Sequence, residues 1–133
     1  MIDYVDKNNI ILKLNEKNKD GLYSLYWAFN YNNNFEMVKL LIDYANKNNI
    51  FLELNENDEY GDYPLLWSCY KNNTEMVKSL LDYTNKNEID LEMNKKNKFG
   101  IYPLLEAYYY NNTYMVELLI DYANKNNIIL ELN

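Results

Sequence analysis

The sequence predicts a mainly α fold, a solenoid of stacked helix-turn-helix units with extended hairpin connections. Three observations carry that expectation. The first is self-similarity. Asp43-Tyr44-Ala45-Asn46-Lys47-Asn48-Asn49-Ile50 returns as Asp82-Tyr83-Thr84-Asn85-Lys86-Asn87-Glu88-Ile89, then after an identical step as Asp121-Tyr122-Ala123-Asn124-Lys125-Asn126-Asn127-Ile128. A constant step of about 20–50 residues is the mark of a stacked array. The second is punctuation: Gly21, Gly61 and Gly100 each open a unit, and their spacing matches that step except for one additional residue between the first two. The third is apolar spacing. Met76, Val77, Leu80, Leu81 and Thr84 fall on one stripe of an amphipathic helix.

The unit that begins at Gly61 shows each element in order. Gly61-Asp62-Tyr63-Pro64 is a turn into a helix, because proline is tolerated in the first helical turn, where its missing N–H has no partner anyway. Pro64 to Tyr70 is nearly all apolar, so this short helix is expected to be buried on most sides. Asn72-Asn73 ends it, since asparagine enters the left-handed conformation more easily than other residues with a Cβ. Thr74 is the expected N-cap of the next helix, with Glu75 near the positive end of its dipole. That helix stops near Asn85-Lys86-Asn87. Ile89-Asp90-Leu91-Glu92-Met93 alternates with the two-residue period of an extended arm. Asn94 to Phe99 forms a polar tip. The extra residue of the first step falls in Asn32-Asn33-Asn34, which places a loop there. The domain reading is one array over 1–133: a partial repeat at 1–20, then helix pairs at 21–60, 61–99 and 100–133.

Composition narrows the chemistry. Of 133 residues, 48% are apolar and 25% charged, ordinary globular values that lead us to expect a buried core. The chain holds 25 Asn, 15 Tyr and 13 Lys, with no Arg, His or Gln. Lys, Asn, Tyr and Ile have AT-rich codons, a source of this bias that is independent of function. Without histidine, a Ser-His-Asp triad, a Cys-His pair and an H-E-x-x-H zinc site cannot be built. A lone Cys69 makes no internal disulfide or cysteine-rich metal site, suits a reducing compartment, and reads as a small core residue. No catalytic residue, cofactor or metal is expected.

Net charge is −7. Nucleic-acid binding needs a basic stripe, and the lone basic cluster, Lys95-Lys96-Asn97-Lys98, reads as a solvated loop. No stretch reaches the ~18 apolar residues of a membrane span. Met1 to Asp6 has no basic or apolar region of a signal peptide. The glycosylation matches at Asn72-Asn73-Thr74 and Asn111-Asn112-Thr113 read as coincidence in so asparagine-rich a chain. The expected location is intracellular, cytoplasmic or nuclear.

Gly61-x-Tyr63-Pro64-Leu65, then Ser68, Asn72 and Val77-x-x-Leu80-Leu81, resembles the ankyrin repeat. Gly100-x-Tyr102-Pro103-Leu104, Ala107, Asn111 and Val116-x-x-Leu119-Ile120 repeats the pattern. Gly21, Leu25, Ala28, Asn32, Val38 and Leu41-Ile42 match most weakly, with Ser24 in place of proline. These units exceed the ~33 residues of the family by about six. The family's Thr-Pro-Leu-His is here Tyr63-Pro64-Leu65-Leu66, so aromatic packing is expected where the family has a Thr–His hydrogen-bond network.

The resemblance implies a non-catalytic module that binds a protein partner through hairpin tips and the exposed face of the first helices. Carried over by position, the first unit contributes Asp20, Leu22, Asn30 and Tyr31. The second contributes Tyr60, Asp62, Tyr70 and Lys71, and the third Phe99, Ile101, Tyr109 and Tyr110. Aromatic side chains are typical interface anchors. Equally, these tyrosines can cover their own array with only the hydroxyl in water. Asp62, Asp58, Glu59 and Glu56 read as an acidic rim that favours a basic partner. Trp27 and Trp67 read as packing residues inside the first helices. Glu106 stands where they do, so it is expected either exposed near the end of the array or in contact with a partner. Leu118, Leu119 and Ile120 are apolar where a terminal repeat is normally polar, which leads us to expect either a segment of a longer array or end-to-end self-association. The alternative function is an architectural spacer without a ligand of its own.

Overall fold

Helices begin again at the constant interval that the sequence period requires. The computed structural model describes Phe29 and residues 35–132. Within them lie α1 (Phe35–Lys47), α2 (Pro64–Tyr70), α3 (Thr74–Lys86), α4 (Pro103–Tyr109) and α5 (Thr113–Lys125). Short α2 and α4 pack side by side, and long α1, α3 and α5 make a second row behind them. Each short helix also packs on the long helix that follows it.

Both short helices start on proline, after Tyr63 or Tyr102 in extended backbone. They end where Asn72 and Asn111 take left-handed φ of 50° and 53°. The N-cap of α3 differs from expectation by one residue. Asn73, not Thr74, is the cap, and its side chain accepts from Met76 N at 3.1 Å. Asn112 does the same for α5, accepting from Met115 N at 3.0 Å. Asparagine wins because its carboxamide keeps a donor free. Asn112 Nδ2 donates backwards to Asn72 Oδ1 at 2.8 Å and to Thr74 Oγ1 at 3.0 Å. A threonine hydroxyl has one hydrogen to give.

The long helices close alike. Asn48, Asn87 and Asn126 return their carboxamides to the carbonyls of Tyr44, Tyr83 and Tyr122, each at 2.9 Å. The next residue is left-handed in all three copies (Asn49, Glu88, Asn127), and the N–H after it reaches back to the carbonyl five residues earlier. That pattern satisfies carbonyls the helix leaves without partners.

The arms that follow alternate as the sequence predicts: Leu91 and Met93 are buried, Asp90 and Glu92 exposed. They form no strand among the described residues. Single carboxamides stand in for a ladder. Asn55 donates to Asp90 O at 2.7 Å and accepts from Glu92 N at 3.0 Å. Asn94, its counterpart one repeat on, does the same with Ile129 O at 2.8 Å and Glu131 N at 2.9 Å.

The core runs along both rows. Tyr63, Leu65, Leu66, Trp67, Met76, Leu80, Met115 and Leu119 are fully buried. The Tyr63 hydroxyl donates to Lys95 O at 2.6 Å, and Thr84 Oγ1 and the Tyr122 hydroxyl lie 2.8 Å apart, so aromatic groups do bridge units. Gly61 has φ +82°, and a Cβ there would sit 3.0 Å from Asn97 Cα in the next tip. Gly100 has φ +79°, with nothing within 4 Å of such a Cβ among the described residues. The same step shows in side chains. Leu66, Cys69 and Leu81 are 0%, 0% and 4% exposed; their counterparts Leu105, Tyr108 and Ile120 are 41%, 76% and 41% exposed. No described helix is long and apolar enough to cross a membrane.

Candidate protein-binding face

The tips between α1 and α2 and between α3 and α4 are built on two equivalent residues. Asp58 Oδ1 accepts from Tyr60 N and Asp62 N, both at 2.9 Å. Asn97 Oδ1 accepts from Phe99 N at 2.8 Å and Ile101 N at 2.9 Å. Each is buried by the turn it organises. The expectation that Asp58 belongs to an acidic rim is therefore corrected: its carboxylate faces the tip's own backbone N–H groups. Lys98 N donates to Tyr60 O at 3.0 Å and ties the two tips together.

A second network joins tip to helix. Asp62 Oδ1 accepts from the Tyr70 hydroxyl at 3.2 Å and from Asn97 Nδ2 at 2.8 Å. Asn97 Nδ2 also donates to the Tyr70 oxygen at 2.6 Å. Tyr70 and Asp62 are half-buried as a result. Burial and the Asp62 charge push the Tyr70 hydroxyl well above its ordinary range, so it stays a neutral donor.

The other residues assigned by position differ in exposure. Tyr60 and Phe99 stand at the tips, 50% and 72% exposed, and Ile101 is half-buried beside Phe99. Tyr109 and Tyr110 end α4, 78% and 43% exposed, with rings edge to face at 5.3 Å between centroids. Lys71 is half-buried at the end of α2. Tyr31, with Asp20, Leu22, Asn30 and Trp27, lies outside the described residues. Trp67 is fully buried against Phe29.

The basic cluster departs from a simple solvated loop. Lys95 Nζ lies 4.6 Å from the centre of the Tyr63 ring, pairs with Glu92 at 3.2 Å, and donates to the Asn55 carbonyl. Lys96 Nζ lies 5.8 Å from the centre of the Tyr102 ring. Two cations thus cap tyrosine rings. Asn97 is a residue the sequence reading passed over. Its signal was available, since it stands one full repeat step after Asp58.

Glu106 is not exposed. It lies in α4 with 9% of its surface open, against α2. Burial raises its pKa, and the Asp62 charge raises it further. Asp62 is raised chiefly by burial; the Asn97 hydrogen bond opposes this and Asp58 adds to it. Cys69 is fully buried beside them, its thiol pushed far up by burial and by the Glu106 charge, so it remains protonated and inert at neutral pH. No group of three or more His, Cys, Asp or Glu able to hold a metal ion occurs among the described residues.

A carboxyl group whose pKa rises on folding holds its proton more tightly in the folded chain. Its contribution favours folding at low pH and is lost as pH climbs from the unfolded value through the raised one. Glu106→Gln abolishes that loss. The melting temperatures of variant and parent should coincide near pH 4 and diverge by a few degrees by pH 7, the variant being the more stable. A parent that gains on the variant as pH rises would contradict the assignment.

A family model described as ankyrin repeats in three copies matches residues 6–91. A search of curated proteins finds no match. The crystal structure of an ankyrin repeat domain from Acinetobacter baumannii AYE superposes with a TM-score of 0.64 at 17% identity, over 87% of this chain and 58% of that one. At that identity the likeness speaks for the fold alone, and this chain spans little more than half the length of that structure. The stacked helix pairs and the family match over more than half of its residues agree: this chain belongs to the ankyrin repeat family.

Proposed function

We propose that this chain is a non-catalytic protein-binding module that engages its partner through the concave face a curved repeat stack offers. Ankyrin repeats serve in general as protein–protein interaction modules. The observation that carries the reading here is a set of large aromatic side chains open to water. Phe99 and Tyr109 are more than 70% exposed, with Tyr60 and Tyr110 beside them in sequence position and repeat register. Such residues bury much area for little lost rotamer freedom when a partner covers them. Asp62, Lys71, Ile101, Tyr70 and Tyr31 complete the proposed contact set. Exposed Glu56 and Glu59 and a net charge of −7 favour a basic partner. Membrane and nucleic acid are not partners in this reading, and its setting is intracellular, cytoplasmic or nuclear.

A pull-down with the chain beside a Phe99→Ala/Tyr109→Ala variant tests the reading. Both side chains are mostly in water, so the variant should melt within about 1 °C of the parent, as surface truncations do. Tyr70 is avoided because its hydroxyl holds the tip network. Loss of a specific protein from the variant is the expected result. No specific capture by either chain would favour the architectural spacer.

A second surface supports end-to-end self-association. Leu105, Tyr108, Val116, Ile120 and Leu132 line an apolar hollow of about 370 Å³ at the far side of α4 and α5. One unit earlier, the matching positions of the stack are covered by the next repeat. A second copy of this chain, presenting a repeat of the same kind, continues that stack. Sedimentation velocity should show mass rising with concentration, and Ile120→Lys should return it to the monomer; a parent that stays monomeric at high concentration would overturn this.

A further inference from the structure

The row of long helices carries a break in the repeat of its own. Between α1 and α3 lies a hollow of about 200 Å³, with Lys39, Asp43 and Asn46 on one wall and Ser79, Asp82 and Lys86 on the other. Buried Ile42 and Tyr83 add apolar lining, and every lining residue belongs to a long helix. The Asn87 carboxamide donates to Asn46 Oδ1 at 3.1 Å and ties α1 to the end of α3. Ser79 accounts for the space. It stands one repeat step after Leu40 and one before Leu118. Leu118 is half-buried and packed against the core. A hydroxymethyl group at the same position leaves the volume of an isobutyl group unfilled.

The charged groups around that space are open to a partner. Asp43 and Asp82 hold equivalent repeat positions, one on each wall, and both are exposed. Among the described residues no hydrogen bond or ion pair reaches either carboxylate, or the ammonium groups of Lys39 and Lys86. A bare divalent ion is a poor match, because no three candidate ligands converge among the described residues. A small anion is a poor match too. In repeat register the two carboxylates fall between the two lysines, so an anion drawn to the lysines meets both of them. What fits is a branched aliphatic group beside Ser79 with a positive charge about one helical turn further on, at Asp43 and Asp82.

We propose that this groove seats an amphipathic helix of a partner protein, which inserts a leucine-sized side chain beside Ser79 and sets a basic residue one turn along, between Asp43 and Asp82. The site lies on the long-helix row, goes beyond the tips and short helices of the reading above, and does not rest on it. Two side-by-side helices with a gap between them offer the groove into which a third helix packs a ridge. Leucine and the basic residue share one face of the incoming helix, because residues three or four apart are neighbours there. The serine thus turns one seam of a regular array into a receptor for the side chain that the repeat itself places at that position.

The full chain, labelled with ¹⁵N, is titrated with an alanine-based helical peptide that carries one leucine and, one turn on, one lysine. Saturable shifts at Asp43, Ser79 and Asp82 are the expected result. Alanine in place of the peptide's leucine should weaken binding about tenfold or more, the worth of a buried leucine side chain. Glutamate in place of its lysine should weaken it about as much, since it meets two carboxylates. S79L restores the leucine of the repeat, fills the hollow and should abolish binding while melting no lower than the parent. S79A keeps the hollow and should bind within about twofold of the parent. The Phe99→Ala/Tyr109→Ala variant should bind the peptide as the parent does, which separates this site from the tip face. Equal affinity for the leucine and alanine peptides, full binding by S79L, or no saturable shift between α1 and α3 would overturn the site. So would a clear fall in the melting temperature of S79L, because the space would then be filled already.

Discussion

Everything in this stack depends on register between one repeat and the next, and the asparagine carboxamide sets it. It is a short side chain with both a donor and an acceptor, so one residue can bind its own turn and the adjoining repeat together. Asn55 and Asn94 hold the extended arms of the following unit by a carbonyl and an N–H. Asn87 and Asn126 each bind their own helix end and then reach Asn46 and Asn85 of the preceding one, at 3.1 and 3.0 Å. Asn112 caps α5 while touching Asn72 and Thr74. Each such bond contributes about 0.5–1.5 kcal/mol net. Their collective effect is specificity, because a slip of one residue breaks them all at once. The constant step of the repeat follows from that demand.

Much of this architecture was legible because periodicity and turn chemistry are local signals. Pro64–Tyr70 is the helix its sequence predicts, and Asn72 and Asn111 adopt the left-handed conformation foreseen for them. The errors fall where a side chain takes up backbone groups. Thr74 looked like a cap, but Asn73, one residue earlier, takes the place by accepting from Met76 N. The arm at Ile89 to Met93 has the period of a strand and no strand partner, since its hydrogen bonds go to Asn55. Asp58 looked like surface charge, and it organises a turn. Of these, the Asn55 contacts cross to another repeat, whereas Asn73 and Asp58 bond to backbone two to four residues away.

The candidate binding face divides along the same line. Phe99, Tyr109 and Tyr110 stand in water where repeat position had put them. Tyr70 does not stand free, because Asp62 and Asn97 engage its hydroxyl. Lys95 and Lys96, nominally a basic loop, lie over tyrosine rings. Some rings thus complete the array, and others stand in water. Glu106 marks where the repeat departs from its own pattern, and the sequence alone could locate the departure but not its burial.

The central claim is that lone carboxamides, rather than a strand ladder, secure each arm to the unit before it. Amide hydrogen exchange at Glu92 and Glu131 tests this most directly. In the parent both N–H groups should be protected. Asn55→Ala should expose Glu92 and spare Glu131, and Asn94→Ala should do the reverse, each costing about 1 kcal/mol of stability. Exchange at Glu92 that is equally slow with and without the Asn55 carboxamide would contradict the account.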